Sequence, residues 1–115
     1  MTNAEFIPLG DTGPDQILVN YGTNVVYVSL KNDNFIALIN GSNNTVQEKI
    51  ILQEPRAMSI NPSIEKLYVA SGVSNWFNVI DIKTNKVISA TQIAHPIASV
   101  VNNITNQVYV ADCNL

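Results

Sequence analysis

The sequence predicts an all-β protein built from repeated four-stranded antiparallel sheets, and three observations lead to this prediction. A β-forming tripeptide centred on tyrosine recurs at Tyr27, Tyr68 and Tyr109, and the step from the first to the second equals the step from the second to the third. The apolar segments are short and β-branched, and none has the roughly ten residues that a helix needs. Clusters rich in Asn, Gly, Ser and Thr separate these segments and are typical of tight turns.

A shift by the tyrosine spacing aligns the chain with itself without a gap. Besides tyrosine, three columns agree in all copies: a proline (Pro14, Pro55, Pro96), an asparagine (Asn20, Asn61, Asn102) and a valine (Val28, Val69, Val110). A fixed period of about 40 residues indicates a repeat architecture, either a helical array or a ring of β-sheets. The short β-branched segments favour the sheets.

Each repeat unit contains four strands, named A to D in chain order and connected up and down. The proline precedes strand A, where a backbone N–H is dispensable. A sheet with two apolar faces is unstable alone and has to stack on its neighbours, as the blades of a β-propeller do. We therefore predict β-propeller blades, with each tyrosine in an equivalent slot between blades.

The repeat predicts one partial propeller domain over 1–115. We expect 1–13 to form the last strand of a preceding blade and its connection, 14–54 and 55–95 to form a blade each, and 96–115 to form two strands of a third blade. These eleven strands make an incomplete ring, because propellers have at least about four blades. The missing blades are expected from a longer chain or from further copies of this one, unless the reading frame is truncated. A longer chain is favoured because the sequence stops directly after a strand B.

Composition argues against several classes of partner and chemistry. Nine acidic residues outnumber six basic ones, and the basic residues form no run, which argues against nucleic acid or an anionic membrane surface. No apolar stretch approaches the ~18 residues of a membrane helix, and the first residues, MTNAEF, do not resemble a signal peptide. One histidine, one cysteine and scattered acids predict no catalytic residue, no metal site and no cofactor.

Polar residues flank the recurring proline, in the connection from strand D of one unit to strand A of the next. Glu54 and His95 precede a proline, whereas Asp15 and Arg56 follow one. In propellers these connections and the loops between strands B and C surround the mouth of the central channel, where ligands commonly bind. Asp15, Glu54, Arg56 and His95 are therefore candidate ligand-binding residues. The alternative is that they are solvated loop residues.

Three Asn-x-Ser/Thr sequences begin at Asn40, Asn43 and Asn103, all in predicted turns. They are candidate glycosylation sites if the protein is exported. Because the turns of this chain consist of Asn and Thr anyway, chance is the alternative explanation.

The second copy of the repeat gives the fullest pattern: Pro55, Asn61, Pro62, Leu67 to Ala70, Val79 to Asp81, Thr84, Asn85 and Val87. This pattern resembles the YVTN family of β-propeller repeats, and the resemblance covers the chain from about Leu9 onward. The tripeptide is followed by Ser29, Ala70 or Ala111 in place of the threonine of the family name. The resemblance implies a ring of usually about seven blades, often on secreted or cell-surface proteins of bacteria and archaea.

Taken together, these features favour a non-enzymatic binding or interaction scaffold that presents its channel-mouth loops to a protein or carbohydrate partner. The alternative is a piece of a propeller enzyme, a hydrolase or a lyase, whose catalytic residues lie outside this segment. The two hypotheses predict different rim loops in the missing blades. An enzyme requires converging histidine and acidic residues there, whereas a scaffold should have variable polar loops.

Overall fold

The computed structural model describes residues 4–9 and 13–112, and their regular structure is β-strand apart from one short 3₁₀ turn at Pro62–Ile64. These residues form ten strands: β1 (Pro14–Asn20), β2 (Val25–Leu30), β3 (Phe35–Asn40), β4 (Thr45–Ile51), β5 (Ala57–Asn61), β6 (Lys66–Ser71), β7 (Trp76–Asp81), β8 (Lys86–Gln92), β9 (Pro96–Asn102) and β10 (Gln107–Asp112). The all-β prediction is confirmed. Within these same residues there is no helix of the length and apolarity that crossing a membrane requires.

The strands form three antiparallel sheets that follow one another along the chain. Strands β1 to β4 make blade 1, strands β5 to β8 make blade 2, and β9 pairs with β10 in what we call the third hairpin. In both blades every strand pairs with the next one in sequence, which gives the predicted up-and-down order. The first strands lie side by side, β1 against β5 and β5 against β9, as the inner strands of propeller blades do.

Asparagines in the left-handed conformation close the turns between strands. The φ angles of Asn24, Asn34 and Asn44 in blade 1 are 57°, 59° and 59°, and those of Asn75 and Asn85 in blade 2 are 60° and 58°. Asparagine tolerates this conformation because its short polar side chain bonds to nearby backbone. The abundance of asparagine is therefore explained by the turns that set the strand register.

Apolar side chains fill the space between successive units. We call the face of a unit that is turned toward the following unit its trailing face. The opposite face, turned toward the preceding unit, is its leading face. The first cluster joins the trailing face of blade 1 to the leading face of blade 2: Tyr27, Ile36, Leu38, Ile50 and Met58, Leu67, Val69, Ile80. The second joins the trailing face of blade 2 to the leading face of the third hairpin: Tyr68, Ala70, Phe77 and Val101, Val108, Val110.

The recurring tyrosine lies on the trailing face of each unit, but its burial differs. Tyr27 and Tyr68 are buried, with 3% and 7% of their surface exposed, whereas Tyr109 is 54% exposed. Blade 2 covers Tyr27 and the third hairpin covers Tyr68, while Tyr109 belongs to none of the apolar clusters of the described residues. Burial of the column is thus a property of the contact between units.

The segment 4–9 packs on blade 1 without forming a strand. The sequence predicts a strand of a preceding blade within 1–13, yet residues 4–9 form no strand. Ile7 and Leu9 nevertheless pack on the leading face of blade 1, in the cluster that contains Val28 and Ile39. A strand requires a neighbour that pairs its N–H and C=O groups, and no described strand pairs with this segment. The segment therefore keeps the apolar packing of a D strand without its hydrogen bonds.

Candidate functional site at the channel mouth

Three of the four predicted ligand-binding residues line one pocket. Asp15, Arg56 and His95 surround an opening of about 210 Å³, whose other lining residues are Gly72, Val73, Pro96 and Ile97. The opening thus joins the start of β1, the connections before β5 and β9, and the loop between β6 and β7. Glu54 occupies the same repeat column as His95 but does not line this pocket.

One hydrogen bond recurs at this rim in both blades. Asn34 Oδ1 accepts a hydrogen bond from the backbone N–H of Glu54, and Asn75 Oδ1 accepts one from the N–H of His95, each at 2.8 Å. Glu54 and His95 have φ angles of 42° and 51°, in the left-handed region. The asparagine that ends each B–C turn therefore fixes the backbone directly before the proline and ties the two kinds of rim loop together.

Gly72 allows the B–C loop of blade 2 to approach the connection that follows it. A Cβ atom at Gly72 would lie 2.9 Å from the carbonyl oxygen of Pro96 and 3.9 Å from Cδ of Arg56. Because a backbone atom is the nearest neighbour, a larger residue has to displace main chain. The sequence prediction missed Gly72 and Val73. The signal that identifies them is their place in the B–C loop, which belongs to the same rim.

The main chain of Arg56 is held from both blades. Its N–H donates to the carbonyl of Ala70 at 3.0 Å, and its own carbonyl accepts a hydrogen bond from Ser29 Oγ at 2.7 Å. Ser29 is fully buried, and its hydroxyl gives the Arg56 carbonyl a hydrogen-bond donor between blade 1 and the connection to blade 2. Ser29, which directly follows the first tyrosine tripeptide, thus helps to fix the main chain of Arg56.

The charges at the pocket are unevenly paired. Asp15 forms an ion pair with Lys31 at 3.6 Å, but Arg56 forms none with the described residues. The Nε atom of Arg56 is buried and has no hydrogen-bond partner within the described part of the chain. A buried guanidinium nitrogen without a partner is costly.

The predicted glycosylation residues lie at the opposite ends of the strands from this pocket. Asn40 Oδ1 accepts a hydrogen bond from the N–H of Ser42 at 2.8 Å, and Asn43 Oδ1 accepts one from the N–H of Thr45 at 3.2 Å. Asn103 is exposed in the turn between β9 and β10. Among residues 4–9 and 13–112, no three His, Cys, Asp or Glu side chains converge as metal ligands.

The chain was compared with known proteins at the levels of sequence and structure. No protein-family model matches it, and no curated protein matches it. It is similar in structure to the hydrazine synthase of Kuenenia stuttgartiensis, with 20% sequence identity and a TM-score of 0.81 over 90% of this chain and 30% of that chain. It is also similar to a chain of a nidogen/laminin complex, with 16% identity and a TM-score of 0.73 over 90% of this chain and 41% of that chain.

The sheets are β-propeller blades. The chain spans less than half the length of both similar chains, and identities this low relate folds without relating functions. In the propeller, the pocket lies at the end of the blades where the D-to-A connections meet the B-to-C loops.

Proposed function

We propose that this chain is part of a YVTN-type β-propeller that acts as a non-enzymatic binding scaffold, and that the pocket of Asp15, Arg56 and His95 contacts a protein partner. The repeat pattern supports the family, and the resemblance supports a place on a secreted or cell-surface protein. The observation that carries the proposal is the meeting of these three side chains, from three separate segments, at one opening.

Arg56 determines the kind of ligand. A guanidinium binds a carboxylate through paired hydrogen bonds, and Arg56 forms no ion pair with the described residues. Val73 and Ile97, which are 54% and 53% exposed, add apolar surface beside it. We therefore infer that the ligand is a peptide segment with an aspartate or glutamate next to an apolar residue. A sugar fits less well, because the residues that line the pocket include no aromatic side chain for stacking.

The proposal is tested with an immobilised library of random peptides and, in parallel, with a panel of immobilised glycans. We expect the wild-type chain to select acidic peptides that contain apolar residues, and the Arg56→Gln variant to lose at least about tenfold in affinity, as for a lost charged hydrogen bond. The matched control is Lys86→Gln, which removes an exposed cation from β8, away from the pocket. Equal peptide binding by the Arg56→Gln variant would overturn the assignment of the pocket. Selection of glycans alone would replace the protein partner by a carbohydrate.

A further inference from the structure

The turn between β3 and β4 contains the one asparagine–glycine step of the sequence, Asn40-Gly41. Such a step is prone to deamidation, because glycine has no Cβ to hinder its backbone nitrogen from attacking the asparagine Cγ. The attack forms a bond from Gly41 N to Asn40 Cγ and breaks the bond from Cγ to Nδ2, which leaves as ammonia. Water then opens the resulting succinimide ring to aspartate or isoaspartate, so water is the only other reactant.

The folded turn holds the nitrogen that has to attack. The N–H of Gly41 donates to the carbonyl of Asn24 at 2.8 Å, and Asn40 Oδ1 accepts a hydrogen bond from the N–H of Ser42 at 2.8 Å. A Cβ at Gly41 would lie 2.7 Å from the Asn24 carbonyl oxygen, so the two turns are in direct contact. The N–H proton has to be removed before the nitrogen attacks, and this hydrogen bond shields it until the turn opens.

Blade 2 contains the same turn with an acid in place of the amide. Asp81 occupies the repeat position of Asn40, and its Oδ1 accepts a hydrogen bond from the N–H of Lys83 at 3.0 Å. The N–H of Ile82 donates to the carbonyl of Glu65 at 3.1 Å. Both hydrogen bonds have their counterparts in blade 1, so this turn forms with a carboxylate as well as with an amide.

We propose that Asn40 is a deamidation site, that opening of its turn controls the reaction in the folded protein, and that the aspartate product keeps the fold of blade 1. The new carboxylate adds a negative charge to a chain whose formal net charge is −3. It lies at the end of the blades opposite the channel mouth. The modification therefore changes the charge of that surface without changing the pocket.

The test follows the loss of the amide at mildly alkaline pH, in native buffer and in guanidinium chloride, by mass spectrometry of the tryptic peptide 32–49. Fragment masses separate Asn40 from the other asparagines of that peptide: Asn32, Asn34, Asn43 and Asn44. In denaturant we expect Asn40 to react faster than these four, and in the folded protein to react at least about tenfold more slowly. No preference for Asn40 in denaturant overturns the site, and equal rates in the two states overturn control by the turn.

Hydrogen exchange gives an independent measure of turn opening. The protection of the Gly41 amide, measured by NMR, should equal the factor by which folding slows deamidation, because both report the fraction of time for which the turn is open. Slow deamidation with an unprotected Gly41 amide would overturn this mechanism. The matched control is Asp81→Asn, which places an amide before Ile82 in the equivalent turn and should stay intact while Asn40 reacts. Equally fast loss at that position would remove the role of glycine.

The variant Asn40→Asp represents the aspartate product. It should unfold thermally at the same temperature as the wild type, because its carboxylate can accept the hydrogen bond from Ser42 as Asp81 accepts one from Lys83. The control is Asn40→Ala, which has no acceptor for the Ser42 N–H and should unfold at a lower temperature. Circular dichroism measures both. An Asn40→Asp chain that is as unstable as Asn40→Ala would overturn the accommodation of the acid.

Discussion

Tyr68 and Phe77 stack on the trailing face of blade 2, with ring centroids 6.0 Å apart and ring planes that differ by 9°. The two residues lie on neighbouring strands, β6 and β7, two positions apart in register, because Phe77 pairs with Ala70. Aromatic rings at this separation attract each other beyond the area they bury. The pair lies beneath the third hairpin, so it stabilises the contact between units as well as the blade itself.

We expect Tyr68→Ala to lower the free energy of unfolding by about 3–5 kcal/mol, because a large aromatic side chain leaves a cavity that the sheets do not fill. The matched control is Tyr109→Ala, in the same repeat column but 54% exposed, for which a loss below about 1 kcal/mol is expected. Urea unfolding of both variants, at the same protein concentration, measures the two losses. Similar losses for the two variants would contradict the role of the neighbouring unit.

The period of the sequence predicts the positions of the strands, because each hairpin is specified by local turn chemistry and by alternating side chains. It does not predict burial: Tyr27 and Tyr109 are equivalent in the repeat but differ in exposure, because among the described residues only Tyr27 has a sheet packed on its face. Residues 4–9 form no strand for the same reason, because no strand among the described residues pairs with them. Strand formation in a hairpin depends on local sequence, whereas burial and pairing also depend on a neighbouring sheet. The repeat predicts only the local part.

The sequence predicted part of the candidate site, namely three of the residues that line the pocket. Asp15, Arg56 and His95 were found from their place beside the proline, and the structure brings them together. Glu54 shares that place without lining the pocket. Where blade 2 has Gly72, the equivalent position of blade 1 holds Lys31, so the two rims differ although their columns align. The hydrogen bond from the asparagine of the B–C turn recurs in both blades, whereas the approach of Gly72 to Pro96 depends on a glycine that blade 1 lacks.

The hydroxyl of Ser29 is expected to contribute measurably to stability. Ser29→Ala removes the donor to the carbonyl of Arg56 and leaves a polar group between blades without that partner, which costs about 1–3 kcal/mol. Ser42→Ala, at an exposed turn position, should cost less than about 0.5 kcal/mol. Urea unfolding of both variants checks the difference. If the two losses are alike, the hydrogen bond across the blades contributes nothing of its own.

Tyr27 should make the protein sensitive to alkaline pH. Burial, and to a lesser extent the nearby Glu48 carboxylate, raise the pKa of Tyr27 above its ordinary value of 10.0. Below that pH the tyrosine is protonated in both states and stability does not depend on it. As the pH rises through 10.0, the unfolded chain loses the proton first, so the free energy of unfolding falls until the folded protein ionises as well.

This dependence is measured as the difference in unfolding free energy between about pH 8 and pH 11, on either side of the ordinary tyrosine pKa. Tyr27→Phe should lose less stability over that interval than the wild type, and Glu48→Gln should lose slightly less. Tyr109→Phe serves as the control, because its ring is half exposed, and it should behave like the wild type. An unchanged alkaline loss in Tyr27→Phe would rule out this assignment.

Gly72 should prove necessary for the shape of the channel-mouth pocket. The Cβ of an alanine would lie 2.9 Å from the Pro96 carbonyl, and the main chain before β9 has to move to relieve that contact. We expect Gly72→Ala to cost about 1–3 kcal/mol, as overpacking does, and to shift the NMR signals of His95, which directly precedes Pro96.

The matched glycine substitution is Gly22→Ala, in the turn after β1. The nearest atom to a Cβ there is the side-chain oxygen of Asn20 at 3.4 Å, which is an ordinary van der Waals distance. This variant should be neutral or more stable by up to about 1 kcal/mol, because alanine restricts the unfolded chain, and the His95 signals should stay in place. If Gly72→Ala is as stable as Gly22→Ala and leaves His95 undisturbed, the loop does not depend on this close approach. A shift of His95 confined to Gly72→Ala would instead show that the B–C loop positions the histidine of the pocket.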